Sequence, residues 1–315
     1  MRYRLVVSLI VIAGLVPVLA FSQAKAPRTP DGHPDLQGVW SFATITPLER
    51  PAELAGKEFF TPQEAVDYER ELLKRNNMDR RDGPVEEDVR RAYNDFWWDR
   101  GTRIVKTRRT SLIIDPPDGK IPPLTAAARE RQRERQNANL GHEFDGPENR
   151  PLQERCIIWA STGPPMMPTA YNNNIRIVQS PGFVTILVEM IHDARVISLD
   201  GSPHVTTGVR QWRGDSRGHW EGDTLVIETT NFTRKTAFRG SSEKLRVIER
   251  FKRMDADTLL YQYTIDDPSS FEKPWTVEIP ITRSEAPIFE YACHEGNYAM
   301  TGGLAGARAQ EKNPD

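Results

Sequence analysis

The sequence predicts an α+β protein, mainly antiparallel β, that folds as a barrel or sandwich with an N-terminal helical excursion. Apolar and polar residues alternate in a series of short segments after residue 146, a pattern typical of strands with one buried face. Short linkers rich in Gly, Asp and Pro join these segments, so neighbouring strands form hairpins. Residues 60–140 carry helix signals instead. Many sequential hairpins with one apolar face favour a closed barrel or a two-sheet sandwich.

The chain begins with a segment typical of an export signal. Two arginines precede an apolar run over residues 5–20, and cleavage after Ala20 or Ala24 fits the small-residue rule for signal peptides. We therefore expect residues 1–24 to be a signal peptide, and the protein to be periplasmic or secreted with no stable membrane anchor after cleavage. An uncleaved N-terminal anchor is the alternative.

Residues 25–145 are predicted to form a strand followed by a helical region that packs on the barrel. Residues 38–42 are typical of a short strand. Thr61 and Glu64 form a capping box with a proline at the first helical position, which predicts a helix to about Lys74.

Two more helices are predicted in the same region. One covers residues 85–98 and the other begins at Thr125, with a strand-like stretch at residues 110–114 between them. The helix after Thr125 is charged on every side, which is typical of a solvated helix.

Residues 146–315 are predicted to form the antiparallel β domain. A strand beginning near Ile175 turns at Ser180-Pro181-Gly182, and the return strand places alternate apolar residues, Val184, Ile186, Val188 and Met190, on one face. Further strands are predicted over residues 224–228, 245–252, 259–265, 275–281 and 289–293.

The two cysteines, Cys156 and Cys293, are expected to form one disulfide. A pair this sparse in an oxidising compartment favours a single crosslink. Two unrelated buried thiols are the alternative.

Charge and motifs exclude several classes of function. The formal net charge is −2, from 42 Lys and Arg against 44 Asp and Glu, so the basic excess of a general nucleic-acid binder is absent and no nucleic-acid partner is expected. The sequence contains no nucleotide-binding fingerprint, zincin motif or nucleophile elbow, and no cofactor is predicted.

Two resemblances bear on the fold. The motif Gly38-Val39-Trp40, at a first strand that precedes meander strands, resembles the Gly-x-Trp opening of lipocalin-type barrels, although the helical stretch departs from that pattern. The chain is also similar to a family of uncharacterised secreted proteins of environmental bacteria. That resemblance implies secretion and a β-rich fold, and it rests on Thr29-Pro30-Asp31-Gly32, Phe96-Trp97-Trp98-Asp99, Asp115-Pro116-Pro117-Asp118-Gly119, Ile191-His192-Asp193-Ala194-Arg195, Trp220-Glu221-Gly222-Asp223-Thr224 and Cys293-His294-Glu295-Gly296-Asn297.

His192 is the first candidate catalytic residue. It continues the apolar face that ends at Met190, so we expect its ring to point into the barrel near one mouth, where it could act as a general acid or base. Asp193 and Arg195 would then share the opposite face and could pair with each other. The alternative is a hydrogen-bonded histidine at a strand end.

Three further residues complete the candidate catalytic set. Glu249 interrupts the apolar face of its strand, so it needs a partner such as Arg210 or must hold a proton. A register shift that places Glu249 in water is the alternative. His294 follows Cys293 and is a second candidate partner for His192. His192, His294 and their acidic neighbours include zinc-ligand types, but adjacent strand residues face opposite ways, so no metal site is predicted.

Aromatic residues favour a ligand-binding function. Trp212, Trp220, Tyr261 and Tyr263 are the candidate ligand contacts, and the Arg- and Trp-rich loop over residues 210–220 could clamp an anionic or sugar-like ligand. We therefore expect a lipocalin-like protein that binds a small organic ligand, apolar or aromatic, in the barrel mouth. A periplasmic lyase, isomerase or hydrolase with a His/Glu acid–base pair is the first alternative. A structural envelope protein is the second.

Overall fold

Ten strands form one sheet that closes on itself. The computed structural model describes residues 27–86, 95–236 and 238–312. The sheet is a closed mixed barrel of nine strands, with a short tenth strand beside one of them. The strands are β1 Gly38–Ser41, β2 Ile113–Asp115, β3 Asn174–Ser180, β4 Phe183–Val188, β5 Ala194–Ser198, β6 Asp215–Glu221, β7 Thr224–Thr230, β8 Arg246–Arg253, β9 Thr258–Asp266 and β10 Trp275–Arg283. The predicted α+β barrel with an N-terminal helical excursion is confirmed.

The N-terminal strand β1 closes the barrel. Trp40 of β1 lies opposite Ile175 of β3 on one side and Arg283 of β10 on the other. β2 pairs with the beginning of β10, where Ile113 lies opposite Val277. The closing strand that the sequence predicts at residues 289–293 is wrong, because this stretch is irregular and β1 already occupies the edge of β10.

One seam of the barrel is parallel. β5 and β6 share a single pair, Ser198 opposite Arg217, whereas the other neighbouring strands of the barrel run antiparallel. Residues 199–214 form the long connection that a parallel pair requires, since a tight turn cannot join parallel strands. The hairpin pattern of the sequence predicted neither this connection nor β5 and β6.

The predicted apolar faces form the core. Alternate residues of β4, β9 and β10 are buried, including Val184 and Ile186, Tyr261 and Tyr263, and Trp275. Each strand therefore contributes one face to the barrel interior, as the period-two pattern requires.

Three helices lie outside the barrel in the described residues: α1 Pro62–Asn76, α2 Ala126–Asn139 and α3 Tyr298–Lys312. The predicted caps at Thr61 and Thr125 are confirmed. Each threonine hydroxyl accepts a hydrogen bond from the backbone N–H three residues on, at 3.3 Å from Glu64 and 3.1 Å from Ala128. α1 buries Ala65 and Leu72 in a small second core cluster with Phe60, Ile45 and Ile104.

Some predicted elements fall outside the described residues. The predicted signal peptide lies outside them, as do residues 87–94 of the predicted second helix, whose described end is a single 3-10 turn, Asp95–Trp97. α3 was not predicted. No helix in the described part of the chain is both long and apolar enough to cross a membrane.

The predicted disulfide is confirmed. Cys156 and Cys293 are bonded, with a Cα–Cα distance of 5.9 Å, and they join points 137 residues apart. Close to the bond, the Asn297 side chain donates a hydrogen bond of 2.5 Å to the backbone oxygen of Glu154. The crosslink thus ties the chain after the last strand back to the segment that precedes β3.

Removing the disulfide is expected to lower the free energy of unfolding by about 3–5 kcal/mol, because the crosslink closes a very long loop in the unfolded chain. Cys156→Ala/Cys293→Ala and the wild-type protein would be compared by urea unfolding, with the wild-type protein under reducing conditions as the control. A double variant as stable as the oxidised wild type would contradict the prediction.

Candidate functional site

Large side chains fill the barrel interior. They include two residues predicted to contact a ligand, Tyr261 and Tyr263, which are 0% and 1% exposed. The other bulky side chains with almost no exposure are Trp40, Phe232, Phe251, Phe271 and Trp275. Neither tyrosine ring has a face open to solvent, so a ligand would have to displace core side chains to reach either of them.

A charged network crosses this core. Glu249 of β8 is 0% exposed and accepts hydrogen bonds from Arg195 of β5, at 3.0 Å from Nη2 to Oε1, and from the hydroxyl of Tyr261, at 2.8 Å. Nη1 of Arg195 pairs with the second carboxylate oxygen. The Tyr261 hydroxyl in turn accepts a 3.0 Å hydrogen bond from the backbone N–H of Met166.

The network keeps Arg195 and Tyr261 in their protonated forms. Burial disfavours the charge on Arg195, but the attraction and hydrogen bonds of Glu249 outweigh it and raise the pKa of the guanidinium. Burial, followed by the negative charge of Glu249, raises the pKa of Tyr261 well above its usual value. The hydroxyl therefore remains protonated and donates to the carboxylate.

The predicted directions of His192 and Arg195 are wrong. β4 ends at Val188, and a 3-10 turn over Met190–His192 follows, in which Ile191 and His192 have positive φ angles of 63° and 42°. This turn reverses the chain and resets the alternation of faces. His192 is consequently exposed, with Nδ1 at 3.2 Å from the backbone oxygen of Tyr291, and Arg195 faces the interior beside Ile186.

The predicted pairings change with these directions. Asp193 pairs with Arg213 instead of Arg195. Glu249 pairs with Arg195 instead of Arg210, which is exposed and donates a 2.6 Å hydrogen bond to the backbone oxygen of Glu243.

The structure disperses the remaining candidates. His294 is exposed in the turn that follows Cys293, and no hydrogen bond or ion pair of the described residues joins it to His192, Glu249 or Arg210. Trp220 stacks on His33 with ring centroids 4.5 Å apart, so one face of its indole is covered by the chain itself. The catalytic roles of His192, Glu249, His294 and Arg210 remain predictions.

A large cleft lies outside the barrel, between α2 and the loops that surround it. This basic cleft has a volume of about 1040 Å³ and includes Trp212 among its lining residues. α2 contributes Arg131, Glu134 and Arg135, and residues 148–155 form the facing wall. The basic residues that line it are Arg131, Arg135, Arg150, Arg155, Arg234, Lys235 and Lys244, against three glutamates, Glu134, Glu148 and Glu243.

The positive charge of the basic cleft is not neutralised by ion pairs. Arg150 pairs with Glu154 at 2.8 Å. In the described part of the chain, no carboxylate lies in ion-pair contact with Arg131, Arg135 or Arg234. Burial, together with the nearby charges of Arg131 and Arg234, lowers the pKa of Arg135. An anion in the cleft would relieve this repulsion.

Arg131, which also lines the basic cleft, has one hydrogen-bond donor without an acceptor among the described residues. Its Nη2 donates to Ser269 O at 3.1 Å and to the Ser270 hydroxyl at 2.8 Å, which anchors α2 against that loop. Its Nε is buried and has no hydrogen-bond partner among the described residues. A buried donor without an acceptor is costly in free energy.

Sequence reasoning missed α2 as part of a site. The charged stretch after Thr125 is a largely exposed helix, as the sequence predicts, but Ala128 is buried, and Arg131 and Arg135 follow it at helical spacing on the same side. That i, i+3, i+7 spacing was the available signal. Nothing local indicated that Arg234, far along the chain, would face the same helix.

The described residues contain no group of three or more His, Cys, Asp or Glu side chains placed to hold a metal ion. No family model, curated protein or solved structure matches the chain. The geometry of the molecule therefore carries the functional argument.

Replacing Arg195 by Met is expected to lower the free energy of unfolding by about 3–5 kcal/mol, because the buried carboxylate of Glu249 loses its cation. Arg195→Met/Glu249→Leu should recover most of the loss. Arg250→Met is the control for an exposed pair: Arg250 of β8 pairs with Glu221 at 2.7 Å with both side chains more than 40% exposed, and surface pairs contribute about 0–1 kcal/mol. Urea unfolding measures all three, and equal losses in the two single variants would refute the prediction.

Proposed function

We propose that this protein binds a small anionic organic ligand in the basic cleft. The observation that carries the proposal is the group of arginines, Arg131, Arg135 and Arg234, that converge on one cavity without carboxylate partners among the described residues. Guanidinium groups bind carboxylate and phosphate oxygens through paired hydrogen bonds. The barrel serves as the rigid support that positions the helix and loops of the cleft.

The ligand is expected to carry an organic body as well as a charge. Trp212, Leu152 and Pro151 line the cleft beside the cations and supply an apolar surface. Trp212 was a predicted ligand contact, and the loop that bears it was expected to hold an anionic or sugar-like molecule. The ligand remains a small organic molecule, as the sequence predicts, but it binds in the basic cleft instead of the barrel mouth and carries a negative charge.

The enzyme alternative has less support. It required Glu249 to face His192 as an acid–base partner, and both oxygens of Glu249 are engaged by Arg195 and Tyr261. His192 is exposed on a turn instead of lying in the low-dielectric interior.

A structural envelope protein is the second candidate function. The filled interior favours it, since no cavity is required for such a role. We also propose export from the cytoplasm for either function, on the basis of the N-terminal sequence pattern and the Cys156–Cys293 disulfide.

The proposal is tested by titrating the protein with 1-naphthyl phosphate and with 1-naphthol in a calorimeter. The two probes share one ring system and differ in charge. We expect the phosphate to bind and the neutral naphthol to bind far more weakly, with an affinity for the phosphate that falls as salt rises, because added ions screen the cleft. Equal binding of both probes would support an apolar site, and binding of neither would support the structural role.

Charge reversal locates the site. Arg135→Glu and Arg234→Glu are each expected to weaken 1-naphthyl phosphate binding by about tenfold or more, the value of one lost charge-assisted contact. Arg176→Glu is the matched control, because Arg176 is exposed on β3 and does not line the cleft. If Arg176→Glu weakened binding as much as the cleft variants, the basic cleft would not be the site.

A further inference from the structure

Two smaller cavities lie next to the basic cleft along residues 210–213. Trp212 lines both the basic cleft and a middle cavity of about 430 Å³. Gln211 and Arg213 line both the middle cavity and a seam cavity of about 380 Å³ beside the β5–β6 seam. Each cavity therefore shares lining residues with the next, and the three lie beside one another along residues 210–213.

The charges along this path are spaced and interrupted by carboxylates. In the middle cavity Arg213 pairs with Asp193, and in the seam cavity Arg217 lies 3.3 Å from Asp215. A polyanion without hydroxyl groups between its charges, such as a linear polyphosphate, would be repelled by both carboxylates. A ligand whose anionic groups alternate with hydroxyls matches better, since hydroxyls can donate to the aspartates while carboxylates accept from the arginines.

Two uncharged side chains along residues 210–213, Trp212 and Gln211, favour a ligand built of rings that carry hydroxyl groups. Trp212 stands where the basic cleft meets the middle cavity, and its indole packs on no other aromatic ring among the described residues. An aromatic face suits the apolar face of a sugar ring. The exposed side chain of Gln211 supplies an amide at the next junction, able both to donate to and to accept from a ligand hydroxyl.

We propose that the three cavities form one binding path for an acidic oligosaccharide, whose carboxylates contact the arginines and one of whose rings stacks on Trp212. The inference rests on the proposed function, because the first acidic sugar occupies the basic cleft. It adds that the ligand is an oligomer and that it extends to the barrel seam. A linear polyphosphate is the competing polyanion, and it is an arm of the test.

The test compares α-1,4-linked oligogalacturonates of different length by calorimetry on the full mature protein. We expect the hexamer to bind about tenfold or more tightly than the dimer, because only the longer chain reaches contacts beyond Trp212. The carboxyl-reduced hexamer, which keeps the rings and loses the charges, should not bind measurably.

Substitution at the seam locates the far end of the ligand. Val196→Asp places a carboxylate in the seam cavity, and it should remove the length-dependent gain while leaving dimer affinity unchanged. Val178→Asp is the matched control. Val178 and Val196 lie on the same outer face on either side of Thr185, they are 45% and 61% exposed, and Val178 lines none of the three cavities.

A second variant, Gln211→Trp, narrows the passage between the middle and seam cavities and should have the same effect as Val196→Asp. Thermal unfolding of each variant verifies that it is folded. Equal affinity for dimer and hexamer, equal effects of Val196→Asp and Val178→Asp, or tighter binding of a linear polyphosphate than of the hexamer would each overturn the inference. Retained binding of 1-naphthyl phosphate in those cases would show that the proposed function survives.

Discussion

The contact between Arg195 and Glu249 constrains much of this barrel. A carboxylate with no exposure to solvent can remain charged only if a cation and further donors surround it. Arg195 supplies the cation from β5, Tyr261 supplies a hydroxyl from β9, and Met166 joins the same network through its backbone N–H. Three separate parts of the chain are therefore held in register around one charge on β8.

The turn between β4 and β5 decides which residues of β5 reach this core. The left-handed conformations of Ile191 and His192 bring the chain back so that Arg195, and not Val196, faces inwards. β5 then meets β6 in parallel through the single pair of Ser198 and Arg217. The long connection of residues 199–214, which the parallel pair requires, carries Trp212 and Arg213 to the outside of the barrel, where the cavities lie.

The packed core and the candidate site lie in different parts of this molecule. The interior holds large aromatic side chains and a satisfied ionic network, while the cations without partners collect on the helix and loops outside. The net charge of −2 conceals this local excess, because it sums 42 basic and 44 acidic residues over the whole chain. The helix α2 of the excursion that follows β1 is thus one wall of the candidate site.

The sequence by itself determined the strands with one buried face, the caps at Thr61 and Thr125, and the disulfide of Cys156 with Cys293. These features depend on periodicity and capping within a few residues, or on there being only one possible cysteine pair. It also identified Glu249 as a carboxylate on an apolar face, but it did not identify the partner. Only the tertiary structure decided that Arg195 faces Glu249, that β1 rather than residues 289–293 closes the sheet, and that Arg135 and Arg234 share one cleft. Such contacts join residues far apart in the chain, and their geometry is decided by how turns and long connections reverse direction, which no local pattern encodes.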